Sequence, residues 1–151
     1  MVAAPEANGF FTAKDVSRYI PAAYSLIERS FLQKVALTHR EQQYSMLEYN
    51  RPGWTFHAKG FWLEPYASDH SSGAMLTTIG SPNFGYRSFE RDVEAQAWIY
   101  SEDATLYKQW QQDIAHIRQY THAVSLADLN HRSRGNPYWV PLATRAIRRM
   151  M

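Results

Sequence analysis

A histidine, a lysine, a short glycine-serine turn and a glutamate occur at close intervals in the middle of this sequence. They are His57, Lys59, the segment 80–83 (Gly-Ser-Pro-Asn) and Glu94. Near neutral pH an imidazole can attack phosphorus or protonate a leaving oxygen, and a nearby ammonium offsets charge on the phosphoryl oxygens. The combination therefore indicates chemistry on a phosphodiester, although the histidine and lysine alone would carry little weight.

His57 and Lys59 fall in an aromatic-rich stretch, Trp54–Leu63, that is predicted to form a strand. Side chains two apart in a strand project from the same face, so both could contact one bound phosphate. A catalytic imidazole also needs an acceptor for its second ring nitrogen, and Glu94, on a neighbouring predicted strand, is the candidate. We therefore predict that the three residues share one site.

The turn that contains Ser81 and Asn83 would add hydrogen-bonding groups to this site, because it directly follows another predicted strand. A turn into a short helix capped by Asn83 is an equally good interpretation of residues 80–88 taken alone. Glu64 lies an odd number of residues from His57, so on a continuing strand it would face away from the phosphate. We expect Glu64 to make a supporting ion pair rather than to act in catalysis.

These residues also have ordinary structural interpretations. Taken singly, His57 could be a hydrogen-bonded core histidine, and Lys59 an edge residue whose stem covers apolar surface. The other histidines show no metal-ligand spacing, and there is no cysteine to join them. The sequence also lacks a P-loop and a G-x-G-x-x-G segment, so we expect neither a metal nor a cofactor.

Three strands are predicted to carry these residues. They span Trp54–Leu63, Ala74–Ile79 and Val93–Tyr100. The first is apolar on both faces, which predicts a central position in a sheet.

Three helices are predicted beside the strands. Apolar residues recur at helical spacing after Pro21, and a second helix is expected from Thr38, whose hydroxyl would form a capping box with Glu41. Glu102 and Asp103 open a third helix, since the helix dipole favours acids at this end. Its buried stripe is predicted to be Leu106, Trp110, Ile114 and Ile117.

Composition limits the classes of protein that this chain can represent. Its 151 residues, 45% of them hydrophobic, can bury one modest core, which fits one domain or part of one. The formal net charge is only +2, so any basic surface must be local. No apolar run approaches the roughly 20 residues that cross a bilayer. The first residues resemble neither a secretory signal nor a transit peptide.

The segment 132–151 differs from the rest, because it contains five arginines and no acid. Arg145, Arg148 and Arg149 alternate with apolar residues and could rest on an anionic membrane surface. The alternative is a closing helix packed on the sheet.

Three stretches resemble the second H-x-K-x-x-x-x-D motif of the phospholipase D superfamily and the segments that follow it. They are residues 55–62, 79–88 and 91–96. More narrowly, the sequence is similar to the eukaryotic mitochondrial phosphatidylglycerophosphate synthases, and this likeness extends from residues 5–10 to residues 139–142. One departure is that the acid of the motif is glutamate, at Glu64, instead of aspartate.

The resemblance implies an α/β fold with a mixed sheet flanked by helices. Residues 1–151 would be an incomplete, C-terminal part of one catalytic lobe, with the motif region at 54–94 and a basic tail at 132–151. The site residues implied are a catalytic pair, a G-S-x-N element and an acceptor behind the histidine: His57 with Lys59, Ser81 with Asn83, and Glu94.

The resemblance also implies a reaction. In this family a phosphatidyl group passes from CDP-diacylglycerol to glycerol 3-phosphate with release of CMP, and two histidine motifs meet at one site. This chain has one motif, so it is either a fragment or a subunit completed by a first-motif lobe or a second copy. His57 would be the general acid and base, and the chain alone would have little activity.

The resemblance places such a chain in mitochondria, at the periphery of the inner membrane. Two alternatives stay open: a phospholipase D-type nuclease or hydrolase acting as a homodimer, and a non-catalytic fragment. The likeness outside the motif favours the lipid enzyme, so nucleic acid is not an expected partner.

Overall fold

The computed structural model describes residues 1–64, 74–83, 85–133 and 136–147, which form two compact units. The first unit contains residues 1–57 and 120–147, and the second contains the described part of 58–119. The strands are β1 (Val2–Ala3), β2 (Leu47–Tyr49), β3 (Trp62–Leu63), β4 (Met75–Gly80), β5 (Gln96–Ser101) and β6 (Thr121–Ala123). The helices are α1 (Ile20–Leu37), α2 (Tyr86–Glu90), α3 (Ala104–Arg118), α4 (Leu126–Ser133) and α5 (Trp139–Ile147).

The first unit is built on a mixed sheet in the order β1-β2-β6. β1 runs parallel to β2, and β2 runs antiparallel to β6. α4 and α5 both pack against α1, and Leu129 and Val140 are buried there. Two short 3-10 helices, Pro5–Ala7 and Val16–Tyr19, lie between β1 and α1. The mixed α/β class predicted from the sequence is confirmed, with the difference that the strands of the chain form two sheets.

The helix predicted after Pro21 is confirmed as α1, but the second helix predicted from Thr38 is wrong. The Thr38 hydroxyl donates to the carbonyls of Lys34, at 3.2 Å, and Val35, at 2.9 Å, so it closes α1 instead of opening a new helix. His39 follows in the left-handed conformation, with φ of 54°. This conformation turns the chain away from the helix axis.

The second unit is an antiparallel sheet in the order β3-β4-β5, so β4 is its central strand. The predicted strand Ala74–Ile79 is confirmed by β4, while β5 starts three residues later than predicted. α3 begins where expected, since the Asp103 carboxylate accepts the Leu106 N–H at 2.7 Å. Ile114 is buried, and the other members of the predicted stripe, Leu106, Trp110 and Ile117, are half-buried.

The prediction of a central strand over Trp54–Leu63 is wrong. Only Trp62–Leu63 pairs with β4, and it does so at the edge of the sheet. The stretch passes from one unit to the other after His57, and Gly60 then adopts a φ of 151°. One extended strand therefore cannot run through it.

Of the basic tail, residues 132–133 end α4 and residues 139–147 form α5, which fits the alternative of a closing helix. α5 packs against α1, and Arg132 of α4 contacts Glu48 on β2, a strand of the first unit's sheet. No helix in the described ranges is long and apolar enough to cross a bilayer.

Candidate active site

The turn after β4 and the segment before β5 are held together at Gly80 and Ser81. The Ser81 N–H donates to the Ala95 carbonyl at 3.1 Å, and the Ala95 N–H donates to the Ser81 hydroxyl oxygen at 3.4 Å. A Cβ at Gly80 would lie 2.7 Å from the Gln96 Cα, and closer still to the Ala95 carbonyl oxygen. The two segments can approach this closely because residue 80 has no side chain.

Glu94 is the centre of a hydrogen-bonded group on this turn. Its carboxylate accepts from the hydroxyl of Ser81 and, at 3.1 Å, from the hydroxyl of Ser88. Ser88 lies on α2, and its oxygen also accepts the backbone N–H of Asn83 at 3.1 Å. The structure thus brings together three of the predicted site residues, Ser81, Asn83 and Glu94.

Ser88 is the member of this group that sequence reasoning missed. It lies inside the stretch 79–88 that resembles the family motif, which is the signal that could have singled it out. We name Ser81, Asn83, Ser88 and Glu94 the serine-glutamate cluster. Hydroxyl donors at both carboxylate oxygens fix the orientation of Glu94.

His57 and Lys59 do not lie on a strand. His57 is exposed and ends the first unit, while Lys59 is half-buried and belongs to the second. A shared strand face therefore does not align the two side chains. Their joint contact with a phosphate stays a prediction.

The residue before His57, Phe56, is anchored in the first unit. The ring of Phe56 stacks on that of Tyr49, with centroids 4.5 Å apart and planes inclined by 21°. The Phe56 N–H also donates to the carbonyl of Ala7 at 2.9 Å. Residue 56 is thus anchored to β2 and to the 3-10 helix Pro5–Ala7.

Glu64 contacts α3. Its carboxylate accepts from the phenol of Tyr107 at 3.4 Å and from the side-chain amide of Gln111. Within the described residues these partners are neutral, and no ion pair of the kind expected for Glu64 is present. The contacts join the end of β3 to α3, which is a supporting arrangement.

The arginines of the basic tail differ in their surroundings. Arg132 is half-buried and donates to the buried carboxylate of Glu48. Arg145 is exposed on α5, whereas Arg148 and Arg149 lie outside the described residues. Trp139 and Leu142 of the same helix are 43% and 70% exposed.

In the part of the chain that the structure covers, no three histidine, aspartate or glutamate side chains are grouped so that they could hold a metal ion.

The sequence is similar to proteins named CDP-diacylglycerol–glycerol-3-phosphate 3-phosphatidyltransferase, mitochondrial. The Gallus gallus and Homo sapiens proteins are each 45% identical over 148 residues, which is 98% of this chain and 26% of each relative. The Saccharomyces cerevisiae protein, named as the same transferase without the word mitochondrial, is 36% identical over 138 residues, or 85% of this chain and 26% of the relative. No protein-family model matches the chain. The chain spans about a quarter of the length of the curated relatives it matches.

An identity of 45% over 98% of the chain groups it with relatives whose names describe phosphatidyltransferases. Within that class it belongs to the family of the CDP-diacylglycerol–glycerol-3-phosphate 3-phosphatidyltransferases, the phosphatidylglycerophosphate synthases. The family resemblance derived from the sequence is confirmed.

Proposed function

We propose that this chain supplies one half of an active site that transfers a phosphatidyl group from CDP-diacylglycerol to glycerol 3-phosphate. The products are phosphatidylglycerophosphate and CMP. The observation that carries the proposal is 45% identity, over 98% of the chain, to proteins named for this transfer. The serine-glutamate cluster supports it, because it contains three of the residues assigned to the site from the sequence.

His57 is the proposed general acid and base. A histidine from another motif attacks the phosphorus of CDP-diacylglycerol, and His57 gives its proton to the departing CMP oxygen. His57 then takes a proton from the hydroxyl of glycerol 3-phosphate, which attacks the phosphohistidine and frees the other imidazole. Lys59 offsets charge on the non-bridging phosphoryl oxygens in both steps.

Glu94 is the proposed acceptor for the second ring nitrogen of His57. Each carboxylate oxygen has two lone pairs, and a serine hydroxyl occupies one on each side. Accepting positions are therefore left for an imidazole N–H. Ser81 and Asn83 would add hydrogen bonds to the phosphate from the same turn.

The proposed partner is a lobe that carries the first motif, or a second copy of the chain. One imidazole cannot hold the phosphatidyl group and protonate CMP in the same step, so the monomer should be inactive. Two other functions remain as outcomes of the test: a dimeric phospholipase D-type hydrolase or nuclease, and a piece without catalysis.

A chimera tests the proposal directly. The segment of the Gallus gallus relative that matches this chain is replaced by the chain, and CMP release from CDP-diacylglycerol is measured with and without glycerol 3-phosphate. We expect acceptor-dependent release that His57→Ala lowers by at least about a hundredfold, the scale of general acid-base catalysis. The exposed His116, on α3, provides a matched His116→Ala control that should keep activity.

The isolated chain is assayed beside the chimera, with single-stranded DNA as an additional substrate. A chimera that is as active with His57→Ala as without it would disprove the role of His57. Turnover of CDP-diacylglycerol by a verified monomer would disprove the half-site. Cleavage of DNA, or CMP release independent of acceptor, would favour the hydrolase.

We further propose that the chain acts in mitochondria, at the surface of the inner membrane. The relatives' names include the word mitochondrial, which supports the compartment. The exposed Trp139, Leu142 and Arg145 on α5 combine apolar and cationic side chains, as in helices that lie at anionic membrane surfaces.

A further inference from the structure

Two carboxyl side chains are buried next to each other in the first unit. The side chain of Glu48, on β2, is fully buried, and Glu28, on α1, is 7% exposed. The two carboxyl groups are close enough for the charge of Glu48 to act on Glu28. Acids almost never occupy such positions without partners, so the pair requires an explanation.

Arg132 supplies a permanent positive charge beside the pair, which balances a pair that keeps one proton. Arg132, from α4, donates to Glu48, and His122, from β6, lies directly opposite Glu48 in the sheet with its Nε2 3.4 Å from Glu48 Oε2. Glu28 Oε2 is buried and has no hydrogen-bond partner among the described residues. A negative charge at this oxygen would be costly, whereas a neutral carboxyl can donate to Glu48.

Electrostatics agree with this geometry. Burial, followed by the charge of Glu48 and the hydrogen bond to it, raises the pKa of Glu28 to about 8, while Arg132 acts in the opposite direction. At neutral pH the pair therefore holds one proton and one negative charge, which Arg132 balances.

The pair is connected to the segment that carries His57. Tyr49, the residue after Glu48 on β2, stacks on Phe56, and Phe56 precedes His57. A shift of β2 at Glu48 would therefore act on this ring stack and on the hydrogen bond from Phe56 to Ala7.

We propose that Glu28 and Glu48 form a proton-operated latch, which in its protonated form holds α1 against β2 and positions the segment bearing His57. Loss of the shared proton leaves two buried carboxylates facing one arginine, and α1 and residues 49–57 then loosen together. The functional part of this proposal rests on the role proposed for His57, whereas the latch itself does not.

Other charged groups lie near the latch. Glu6 and Asp128 also act on Arg132, and hydrogen bonds from Ser125 hold the pKa of Asp128 below its usual range. Asp128 is therefore a carboxylate throughout the pH range in which the latch responds. His122 is the other titratable side chain in contact with Glu48, and it is half-exposed to solvent.

The sign of the pH effect follows from the raised pKa of Glu28. In the unfolded chain this carboxyl ionises near its model value of 4.5, and in the folded chain near 8. The stability it contributes is fully present below the lower value and is lost as the pH rises towards the upper one. In this window the unfolding constant of the first unit should rise by up to about tenfold per pH unit.

The test is NMR spectroscopy of the labelled 151-residue chain across roughly pH 6 to 9.5, where a group titrating near 8 changes state. The amide signals of Tyr49, Phe56 and His57 should shift with one common midpoint near 8. Glu28→Gln, which keeps a donor to Glu48 but cannot ionise, should remove that transition. The exposed Glu41 on the same unit gives the control Glu41→Gln, which should keep it.

A second measurement uses only the wild-type chain and therefore does not depend on whether Glu28→Gln folds. Urea unfolding of the wild-type chain, followed through the signals of α1, should show an unfolding constant that rises at least tenfold from about pH 5.5 to 7.5. His122→Gln should keep the transition. The latch is overturned if the wild-type signals show no transition near pH 8, if Glu28→Gln keeps the transition, or if His122→Gln removes it. Neither readout uses turnover, so an inactive chimera would not affect this result.

Discussion

A single hydroxyl, that of Ser88, connects the two ends of the candidate site. It accepts the N–H of Asn83 and donates to Glu94, both at 3.1 Å. The turn and the carboxylate therefore depend on one another. A serine can do this because its oxygen is a donor and an acceptor at once.

Ser88→Ala should loosen the turn at Asn83. Each lost hydrogen bond contributes about 1 kcal/mol, so protection of the Asn83 amide from hydrogen exchange should fall about fivefold to tenfold at constant pH. NMR-detected exchange measures this. Ser88→Thr, which keeps the hydroxyl, should restore protection.

The control for this change is Ser101→Ala. Ser101 also accepts a backbone amide, that of Asp103, at 3.0 Å, but it lies outside the serine-glutamate cluster. Ser101→Ala should leave the protection of the Asn83 amide from hydrogen exchange unchanged. Equal protection in Ser88→Ala and the wild-type chain would show that the hydroxyl does not hold the turn.

Residue types could be recognised from the sequence where chemistry alone singles them out. Ser81, Asn83 and Glu94 were assigned together, and the structure shows them in one cluster. The bridging function of Ser88 could not be predicted, because it depends on the path of the turn. Glu28 was missed for another reason: a glutamate in an amphipathic helix is normally solvated.

At the level of elements, the sequence patterns succeeded where periodicity was regular. α1, β4 and α3 all show a clear spacing of apolar residues or a capping acid, and all three were predicted. The prediction of one strand over residues 54–63 failed because the aromatic residues of this stretch pack in two different units. Phe56 stacks on Tyr49 in the first unit, while Phe61 contacts Trp98 in the second, at 5.2 Å between ring centroids.

The connection between β4 and β5 depends on Gly80. Gly80→Ala would push a methyl group against the backbone of residues 95 and 96, so we expect the second unit to lose about 1–3 kcal/mol of unfolding free energy. Urea unfolding followed through β4 and β5 amides measures the loss. The cross-strand bonds of Ser81 should weaken at the same time.

Gly9→Ala is the matched control for this substitution. An added Cβ at Gly9 meets no atom within 4 Å, so this change should be neutral or slightly stabilising. If the two alanine variants were equally stable, the close approach at Gly80 would not be the reason for a glycine there.

At the level of the whole molecule, the chain combines two small units with one histidine motif. The α/β class and the family could be predicted from the sequence, and both predictions are confirmed. The division of the chain into two units after His57 could not be predicted, because it depends on which sheet each segment joins. Local patterns do not carry that information.

Binding to vesicles tests the proposed membrane surface. The chain should bind vesicles that contain an anionic phospholipid more tightly than neutral ones, and less tightly as salt is added. A cation near such a surface contributes about 1 kcal/mol, so Arg145→Ala should lower the partition coefficient about fivefold in a flotation assay.

The exposed Lys108, on α3, gives the control Lys108→Ala. It should bind like the wild-type chain if attachment occurs through α5. Equal weakening by both substitutions would indicate nonspecific attraction by total charge, and binding to neutral vesicles alone would rule out the anionic surface.

The ion pair of Arg132 with Glu48 changes how the charge of the C-terminal segment should be counted. Residues 132–151 contain five arginines, and the guanidinium of Arg132 is paired with the buried carboxylate of Glu48. The charge of Arg132 is therefore not counted toward the attraction of an anion. Attraction calculated from the sequence alone is therefore too strong by one elementary charge, or about 1 kcal/mol at a membrane surface.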